Sequence, residues 1–247
     1  MNLSVDLNAD LGEGAPHEHE LLDLVTSANI ACGRHAGSEA MMRASLRAAQ
    51  ERGVSVGAHP SFDDRENFGR CEMQLAPGEL QALVASQLQE FGAIAHSLGV
   101  RPRHVKPHGA LYNMAARDEG IADAIVQAVH AFDPALIFFA PAASALSRKA
   151  EANELRVAHE VFADRNYLAD GSLVPRGRSD AVMHDPADAA ERVLRMLREH
   201  KVRAVDGTDV PVEVDTICMH GDTPGAVEFA RELRRTLKRM GVLVAAP

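Results

Sequence analysis

The stretch RHVKPHGALYN, residues 103–113, alternates titratable and apolar side chains. His104, Lys106 and His108 lie two residues apart, with a valine and a proline between them. Side chains two residues apart on a β-strand point to the same face. The spacing therefore predicts a strand with one polar face that carries three titratable groups and one apolar face that packs against other elements.

Short apolar runs alternate with helical patterns over nearly the whole chain. The predicted strands are 3–8, 27–32, 54–59, 104–107, 136–140, 156–161, 202–205 and 214–219, and the predicted helices are 39–52, 77–98, 120–132, 186–200 and 224–240. Such alternation is typical of parallel strands joined by crossover helices. We therefore expect an α/β fold, a TIM-like (β/α) barrel with seven or eight parallel strands that forms a single domain over residues 1–247. A doubly wound open sheet is the alternative, and residues 207–215 are predicted to form a small hairpin insertion.

Six predicted strands are followed by clusters of Asp, Asn, His, Lys or Gly. The clusters are 6–13, 31–38, 57–64, 106–113, 162–167 and 219–222. In parallel α/β folds the ligand site lies at the carboxyl ends of the strands. We therefore expect side chains as distant in sequence as Asp10, Lys106 and His220 to line one cavity. A buried Lys106 needs a carboxylate beside it, such as Asp6 or Asp10, because an unpaired buried ammonium is costly.

Composition excludes several classes of protein. The formal net charge is −9, which argues against nucleic acid or an anionic membrane as a partner, since both bind basic surfaces. Cys32, Cys71 and Cys218 form no CxxC pair, which is typical of reduced intracellular thiols. The N-terminus does not resemble a signal peptide, and no apolar run approaches the roughly 18 residues that span a bilayer. A cytoplasmic location is expected.

Several common catalytic motifs are missing from the sequence. It contains no GxxxxGK[ST] phosphate loop, no GxGxxG and no GxSxG. The polar clusters instead indicate acid–base chemistry or carbonyl polarisation by Asp, His and Lys, with or without a metal.

The same clusters resemble the LamB/YcsF family, and within it the A subunits of bacterial ATP-dependent 5-oxoprolinases. The resemblance rests on DLNADLGEG (6–14), SANIACGRHAG (27–37), GVSVGAHPSFDDRENFGR (53–70), RHVKPHGALYN (103–113), EVFADRNYLADGSLVPR (160–176) and ICMHGD (217–222). It runs from Asp6 to the C-terminal helix and implies a barrel related to the sugar deacetylase-like barrels. The chain departs from the family pattern at Arg34, where Phe is usual, at Ser38, where Asp is common, and at Asp180, where a Gly-Ala pair is more frequent.

The resemblance also implies an activity and partners. The expected reaction is the ATP-dependent hydrolytic opening of 5-oxo-L-proline to L-glutamate by a multi-subunit enzyme that includes subunits B and C. ATP is then a co-substrate of the complex, and the missing phosphate loop favours a nucleotide site on a partner subunit. The sequence leaves open whether a divalent metal takes part.

The chemistry of the side chains, together with this match, suggests a role for each candidate residue. The predicted catalytic residues are Asp10, His59, Lys106, His108 and His220, and the predicted substrate-binding residues are Asn8, Asn29, His35, Asp164, Arg165 and Asp222. Lys106 would stabilise charge on the lactam oxygen, the histidines would act as general acids or bases, and Asp10 would orient one of them. His104, deeper in its strand, is expected to be structural.

Two other functions remain alternatives. One is a metal-dependent deacetylase or amide hydrolase that acts alone, because Asp10, His35, His59 and His220 supply enough ligands for a divalent ion. The other is a non-catalytic subunit that only binds the substrate.

Overall fold

Seven parallel strands form a closed barrel in this computed structural model, which describes residues 3–183, 185–219 and 225–247. The described residues form ten strands, of which β1 to β6 and β9 make up the ring: β1 Ser4–Leu11, β2 Ser27–Ala31, β3 Ser55–His59, β4 His104–Val105, β5 Ile137–Pro141, β6 Val157–Phe162, β7 Lys201–Arg203, β8 Asp209–Pro211, β9 Thr216–Met219 and β10 Leu243–Val244. Strands β1 to β6 are neighbours in chain order, β9 pairs with β6, and β9 also pairs with β1, which closes the ring. The expected TIM-like barrel is confirmed, with seven strands.

One predicted barrel strand, 202–205, is wrong. Residues Lys201–Arg203 instead pair antiparallel with Asp209–Pro211, as a hairpin separate from the barrel sheet. Val202 is buried, while the residues on either side of it are exposed. A barrel strand is covered on both faces, so a strand with one solvated face belongs outside the ring. The hairpin predicted at 207–215 therefore begins earlier in the chain, and 202–205 supplies its first arm.

Helices connect most of the barrel strands. They are α1 Glu18–Leu22, α2 Glu39–Arg52, α3 Pro77–Ser97, α4 Gly109–Arg117, α5 Glu119–Phe132, α6 Ala145–Ala152, α7 Pro186–Glu199 and α8 Ala226–Arg239. Ser38 caps α2 by accepting a hydrogen bond from the backbone N–H of Met41, and Asp185 caps α7 ahead of Pro186. The five predicted helices are confirmed to within two residues at each end. The shorter α1, α4 and α6 were not predicted.

The strands separate an apolar outer layer from a polar interior. Along β1, Val5, Leu7 and Ala9 are buried in the hydrophobic cluster that includes the helices. Asp6, Asn8 and Asp10 alternate with them and are also buried, so these polar side chains point into the ring. The interior of this barrel is therefore a packed polar network at the level of β1. Among the described residues, no helix has the length and hydropathy of a membrane span.

Candidate functional site

Lys106, directly after β4, lies at the centre of the polar interior. Its Nζ is 3.1 Å from Asp10 Oδ1, 3.0 Å from Glu160 Oε1, 3.3 Å from Asn8 Oδ1 and 2.9 Å from Cys218 Sγ. Strands β1 and β4 are three places apart in the ring, so these contacts cross the barrel. Burial alone would lower the pKa of Lys106, but Asp10 and Glu160 outweigh it and raise that pKa well above its usual value. The site therefore contains a fixed, buried cation.

Glu160, in β6, is a central residue of this network that sequence reasoning missed. Its carboxylate accepts hydrogen bonds from Asn8 Nδ2 at 2.9 Å and from the Tyr112 hydroxyl at 2.7 Å. It is 2% exposed, so the carboxylate is buried together with its partners. The sequence did contain one indication of this role. Glu160 is the one glutamate in the predicted strand 156–161, and it lies on the same face of that strand as Ala158.

Asp6 lies one layer deeper and contacts hydroxyl groups instead of Lys106. It accepts hydrogen bonds from Thr26 Oγ1 at 2.6 Å, Ser27 Oγ at 2.8 Å and Thr216 Oγ1 at 2.6 Å. Burial raises the pKa of this carboxyl, although the three hydroxyls act in the opposite direction. Of the two carboxylates expected beside Lys106, Asp10 is the one in contact.

Asn29 connects the cation to the wall of the barrel. Its Nδ2 donates to Asn8 Oδ1 at 2.7 Å and to Asp10 Oδ1 at 2.8 Å, and its Oδ1 lies 2.8 Å from His104 Nε2. Burial lowers the pKa of His104 to about 3, so the ring is neutral and donates its Nε2–H to Asn29. The His104 ring also stacks on Phe139, with centroids 4.2 Å apart. These contacts give His104 the structural role expected from its depth.

Three histidines and a glutamate form a second cluster beside Asp10. One ligand atom from each of Glu13, His35, His59 and His108 lies within 4.8 Å of all the others, and these four residues could hold a metal ion. The rings of His35 and His108 stack with centroids 3.8 Å apart. Burial lowers the pKa of His35 to about 3 and that of His108 well below its usual value, so both rings are neutral. Neutral imidazole is the form that ligates a metal.

A turn at 68–70 returns to the histidines and fixes one of them. His108 Nε2 donates to the carbonyl oxygen of Phe68 at 2.9 Å. Gly109 has φ +57°, and a Cβ there would overlap the carbonyl oxygen of Gly69. Glycine at 109 therefore permits the close approach of the turn to the start of α4, and the approach orients the His108 ring. Phe68 itself adopts φ 57°, which is uncommon for a bulky residue and typical of constrained functional loops.

The segment after β6 is held by Arg165. Its Nη2 donates to the carbonyl oxygen of Val174 at 2.6 Å, and its Nε donates to that of Ala181 at 3.4 Å. Asp164 and Arg165 are both nearly buried at the same end of the barrel as Lys106. Their assignment to substrate binding stays a prediction, since the contacts of Arg165 are to its own loop.

The structure brings most of the predicted residues together. Those in the two connected clusters are Asn8, Asp10, Asn29, His35, His59, Lys106 and His108. His220 and Asp222 lie outside the described residues. Sequence reasoning missed Glu13 and Glu160, which contact His35 and Lys106, and Tyr112, which contacts Glu160. This arrangement offers a buried cation, adjacent carboxylates and neutral imidazoles, the groups needed to polarise a carbonyl and move protons.

Solved structures with a similar fold fall into two groups. A lactam utilization protein from Thermus thermophilus is 44% identical, with a TM-score of 0.93 over 99% of this chain and 100% of that chain. A family 4 carbohydrate esterase from Streptomyces lividans is 14% identical, with a TM-score of 0.51 over 98% of this chain and 92% of that one. A polysaccharide deacetylase from Bacillus cereus is 15% identical, with a TM-score of 0.50 over 100% and 92%. The last two share the fold alone and confirm the expected relation to deacetylase-like barrels.

The family match covers the barrel and both clusters. The profile described as the LamB/YcsF family matches residues 5–247, a range that contains Asp10, Lys106 and the three clustered histidines. With this match and the 44% identity to a full-length relative, the chain belongs to the LamB/YcsF family.

Proposed function

We propose that this chain is one subunit of an enzyme that opens 5-oxo-L-proline to L-glutamate with hydrolysis of ATP, together with two partner subunits, B and C. The observation that carries the proposal is the buried ammonium of Lys106, held by Asp10 and Glu160 at the carboxyl ends of the strands. A fixed cation at that position suits an oxygen that gains negative charge, such as the oxygen of a lactam. The 44%-identical relative, named as a lactam utilization protein, supports a cyclic amide as substrate.

The chemistry explains the proposed need for ATP. An opened γ-lactam closes again readily because its amine and carboxyl are tethered, and such tethering gives effective molarities on the order of 10⁵ M or more. Transfer of a phosphoryl group from ATP to the lactam oxygen makes the ring carbon electrophilic. Water then adds to that carbon, the C–N bond breaks as the nitrogen gains a proton, and a second water releases phosphate from the resulting acyl phosphate. The products are L-glutamate, ADP and phosphate.

The residues of the site suit distinct parts of this reaction. Lys106 is suited to stabilise charge on the lactam or phosphorylated oxygen. Asp10 Oδ2 lies 3.3 Å from His59 Nε2, so this pair is suited to take a proton from water and pass it towards the ring nitrogen. Substrate recognition is assigned to Asn8, Asn29, His35, Asp164, Arg165 and Asp222, with His108 and His220 as further acids or bases. ATP is assigned to a partner subunit.

The test is reconstitution with the partner chains. Co-expression with the two partners should give 5-oxoproline-dependent release of phosphate and glutamate, and omission of any one chain should abolish it. Lys106→Met, which keeps the length and removes the charge, should lose about 100-fold or more in turnover, as for loss of one electrostatic stabiliser. His96→Gln, at an exposed helix position, is the matched control and should keep full activity. Normal turnover together with normal 5-oxoproline binding by the Lys106→Met complex would exclude this site.

A second candidate function is favoured by the cluster of Glu13, His35, His59 and His108, namely a metal-dependent amide hydrolase that acts alone. It predicts that the purified chain with a divalent metal hydrolyses a cyclic or acetylated amide without ATP or partners. Turnover only by the complex with ATP would reject it. If Lys106→Met weakened binding of 5-oxoproline but left turnover of the complex intact, the chain would be a binding subunit, the third possibility.

A further inference from the structure

The proton positions on His59 and His108 are fixed by their backbone partners. His59 Nδ1 lies 2.7 Å from the carbonyl oxygen of Lys106, and His108 Nε2 lies 2.9 Å from that of Phe68. A carbonyl oxygen can only accept, so each of these nitrogens carries the ring proton. The other nitrogens, His59 Nε2 and His108 Nδ1, then present lone pairs, and they face each other at 2.9 Å. Two acceptors at hydrogen-bond distance repel unless a cation lies between them.

His35 adds a third lone pair to the same place. The Ser61 hydroxyl donates to the Phe62 carbonyl oxygen at 2.9 Å and lies 2.8 Å from His35 Nδ1, so it accepts the Nδ1–H of that ring. His35 Nε2 therefore presents its lone pair to Glu13 Oε1, 2.9 Å away. Glu13 Oε1 is also 3.4 Å from His108 Nδ1 and 3.9 Å from His59 Nε2. Four acceptor atoms thus converge on one point.

This pattern is the one that metal-bound histidines adopt. A ligating imidazole donates its outer N–H to a carbonyl, carboxylate or hydroxyl, which fixes the tautomer and aims the inner nitrogen at the ion. All three rings do so here. Ligands about 2.0–2.1 Å from a tetrahedral ion lie about 3.4 Å apart. Four of the six pairs of ligand atoms are 2.9 to 3.9 Å apart, and all six pairs are within 4.8 Å.

We propose that Glu13 Oε1, His35 Nε2, His59 Nε2 and His108 Nδ1 bind one divalent first-row transition-metal ion, with Zn²⁺ as the preferred class. Three nitrogen ligands disfavour Mg²⁺ and Ca²⁺, which take oxygen, whereas imidazole with a carboxylate suits Zn²⁺ and Co²⁺. With the ion bound, His59 and His108 would be ligands, and the proton transfer proposed above would be left to Asp10. The assignment itself does not depend on the substrate or on ATP.

The position of Asp10 connects this metal centre to the cation of the site. Asp10 Oδ2 lies 3.3 Å from His59 Nε2, while Asp10 Oδ1 lies 3.1 Å from Lys106 Nζ. One carboxylate therefore borders both the metal ligands and the ammonium. When bound, such an ion would supply Lewis acidity at the carbonyl that Lys106 faces.

The test measures metal binding directly. The purified chain is stripped with a chelator, dialysed and titrated with Co²⁺, whose visible absorption reports a low-coordinate site of nitrogen and oxygen ligands. We expect about one ion per chain, displaced by Zn²⁺. Glu13→Gln, which keeps the side-chain shape, and His35→Ala should each weaken binding by about 100-fold or more, beyond the loss seen when only an outer partner of a ligand is removed. His96→Gln is the control and should bind as the native chain does.

Three results would overturn the proposal. In the first, the native chain binds no Co²⁺. In the second, the absorption of the native chain with Co²⁺ is that of the hydrated ion. In the third, the Glu13→Gln variant binds Co²⁺ as well as the native chain does, and its circular dichroism shows that it is folded. In the first two cases the facing nitrogens must share protons instead of a metal, and in the third Glu13 is not a ligand. Since neither substrate nor partner is present in the titration, its outcome is independent of the reconstitution described above.

Discussion

Lys106 Nζ lies 3.0 Å from Glu160 Oε1, and the two side chains are 3% and 0% exposed. The ammonium also contacts Asp10, so a single cation is paired with two buried carboxylates. In a barrel interior neither charge can be solvated by water when its partner is lost, and the pair must be replaced together if the fold is to keep its stability.

Lys106→Met is therefore expected to destabilise the chain as well as inactivate it. Removal of one partner of a buried ion pair costs about 3–5 kcal/mol, because the other charge stays buried. The free energy of unfolding in urea measures the loss. Combination with Glu160→Gln in the same chain should recover part of it, since one of the two buried negative charges is then removed. Additive effects of the two substitutions would show that the residues are not coupled.

Gly57→Ala is expected to be destabilising for a steric reason. A Cβ at Gly57 would overlap the His104 ring, which is itself held by Phe139 and Asn29. Overpacking in a rigid core costs about 1–3 kcal/mol, and sometimes more. Gly78→Ala is the matched control, because a Cβ there meets nothing within 4 Å and alanine favours the helix α3 that contains it. Equal unfolding midpoints for the two variants would disprove the clash.

Asp6→Asn should change how stability depends on pH. The folded pKa of Asp6 is raised above its unfolded value by burial, so in the pH range between the two values the folded state binds more protons. The contribution of this group to stability is thus full below the unfolded pKa and is lost as the pH rises through the folded pKa. Asparagine does not ionise, so the stability of Asp6→Asn relative to the native chain should improve from acid to neutral pH.

The measurement is urea unfolding of both chains over that pH series. The hydroxyls of Thr26 and Ser27 can still donate to the amide oxygen of the variant, so it is expected to fold. A relative stability that falls as the pH rises would contradict the raised pKa.

Alkylation should distinguish the three cysteines. Thiolate is the reactive form, and burial raises the pKa of Cys32 to about 12 and that of Cys218 well above its usual value, whereas Cys71 is exposed. Iodoacetamide should therefore label Cys71 in the folded chain and all three in urea, as read by peptide mass spectrometry. Labelling of Cys218 as fast as Cys71 would mean that the interior is open to solvent.

Sequence alone determined the architecture and the polarity of the barrel faces. Alternation along β1 and around Lys106 separates apolar from polar side chains, as expected for strands whose two faces lie in different surroundings. The expectation of a carboxylate beside Lys106 is met by Asp10 and not by Asp6, which contacts hydroxyl groups instead. The prediction of a barrel strand at 202–205 failed because a short alternating run looks alike in a barrel strand and in a surface hairpin.

Tertiary structure alone decided the partners and the proton positions. Closure of the ring brings Glu160 into contact with Lys106, and the loop after β1 brings Glu13 into contact with His35. No local sequence pattern predicts these contacts. The free lone pairs of His59 and His108 follow from carbonyl groups 47 and 40 residues away in the chain. Side-chain periodicity is a local property of the backbone, whereas hydrogen-bond partners depend on which strands become neighbours in the closed ring.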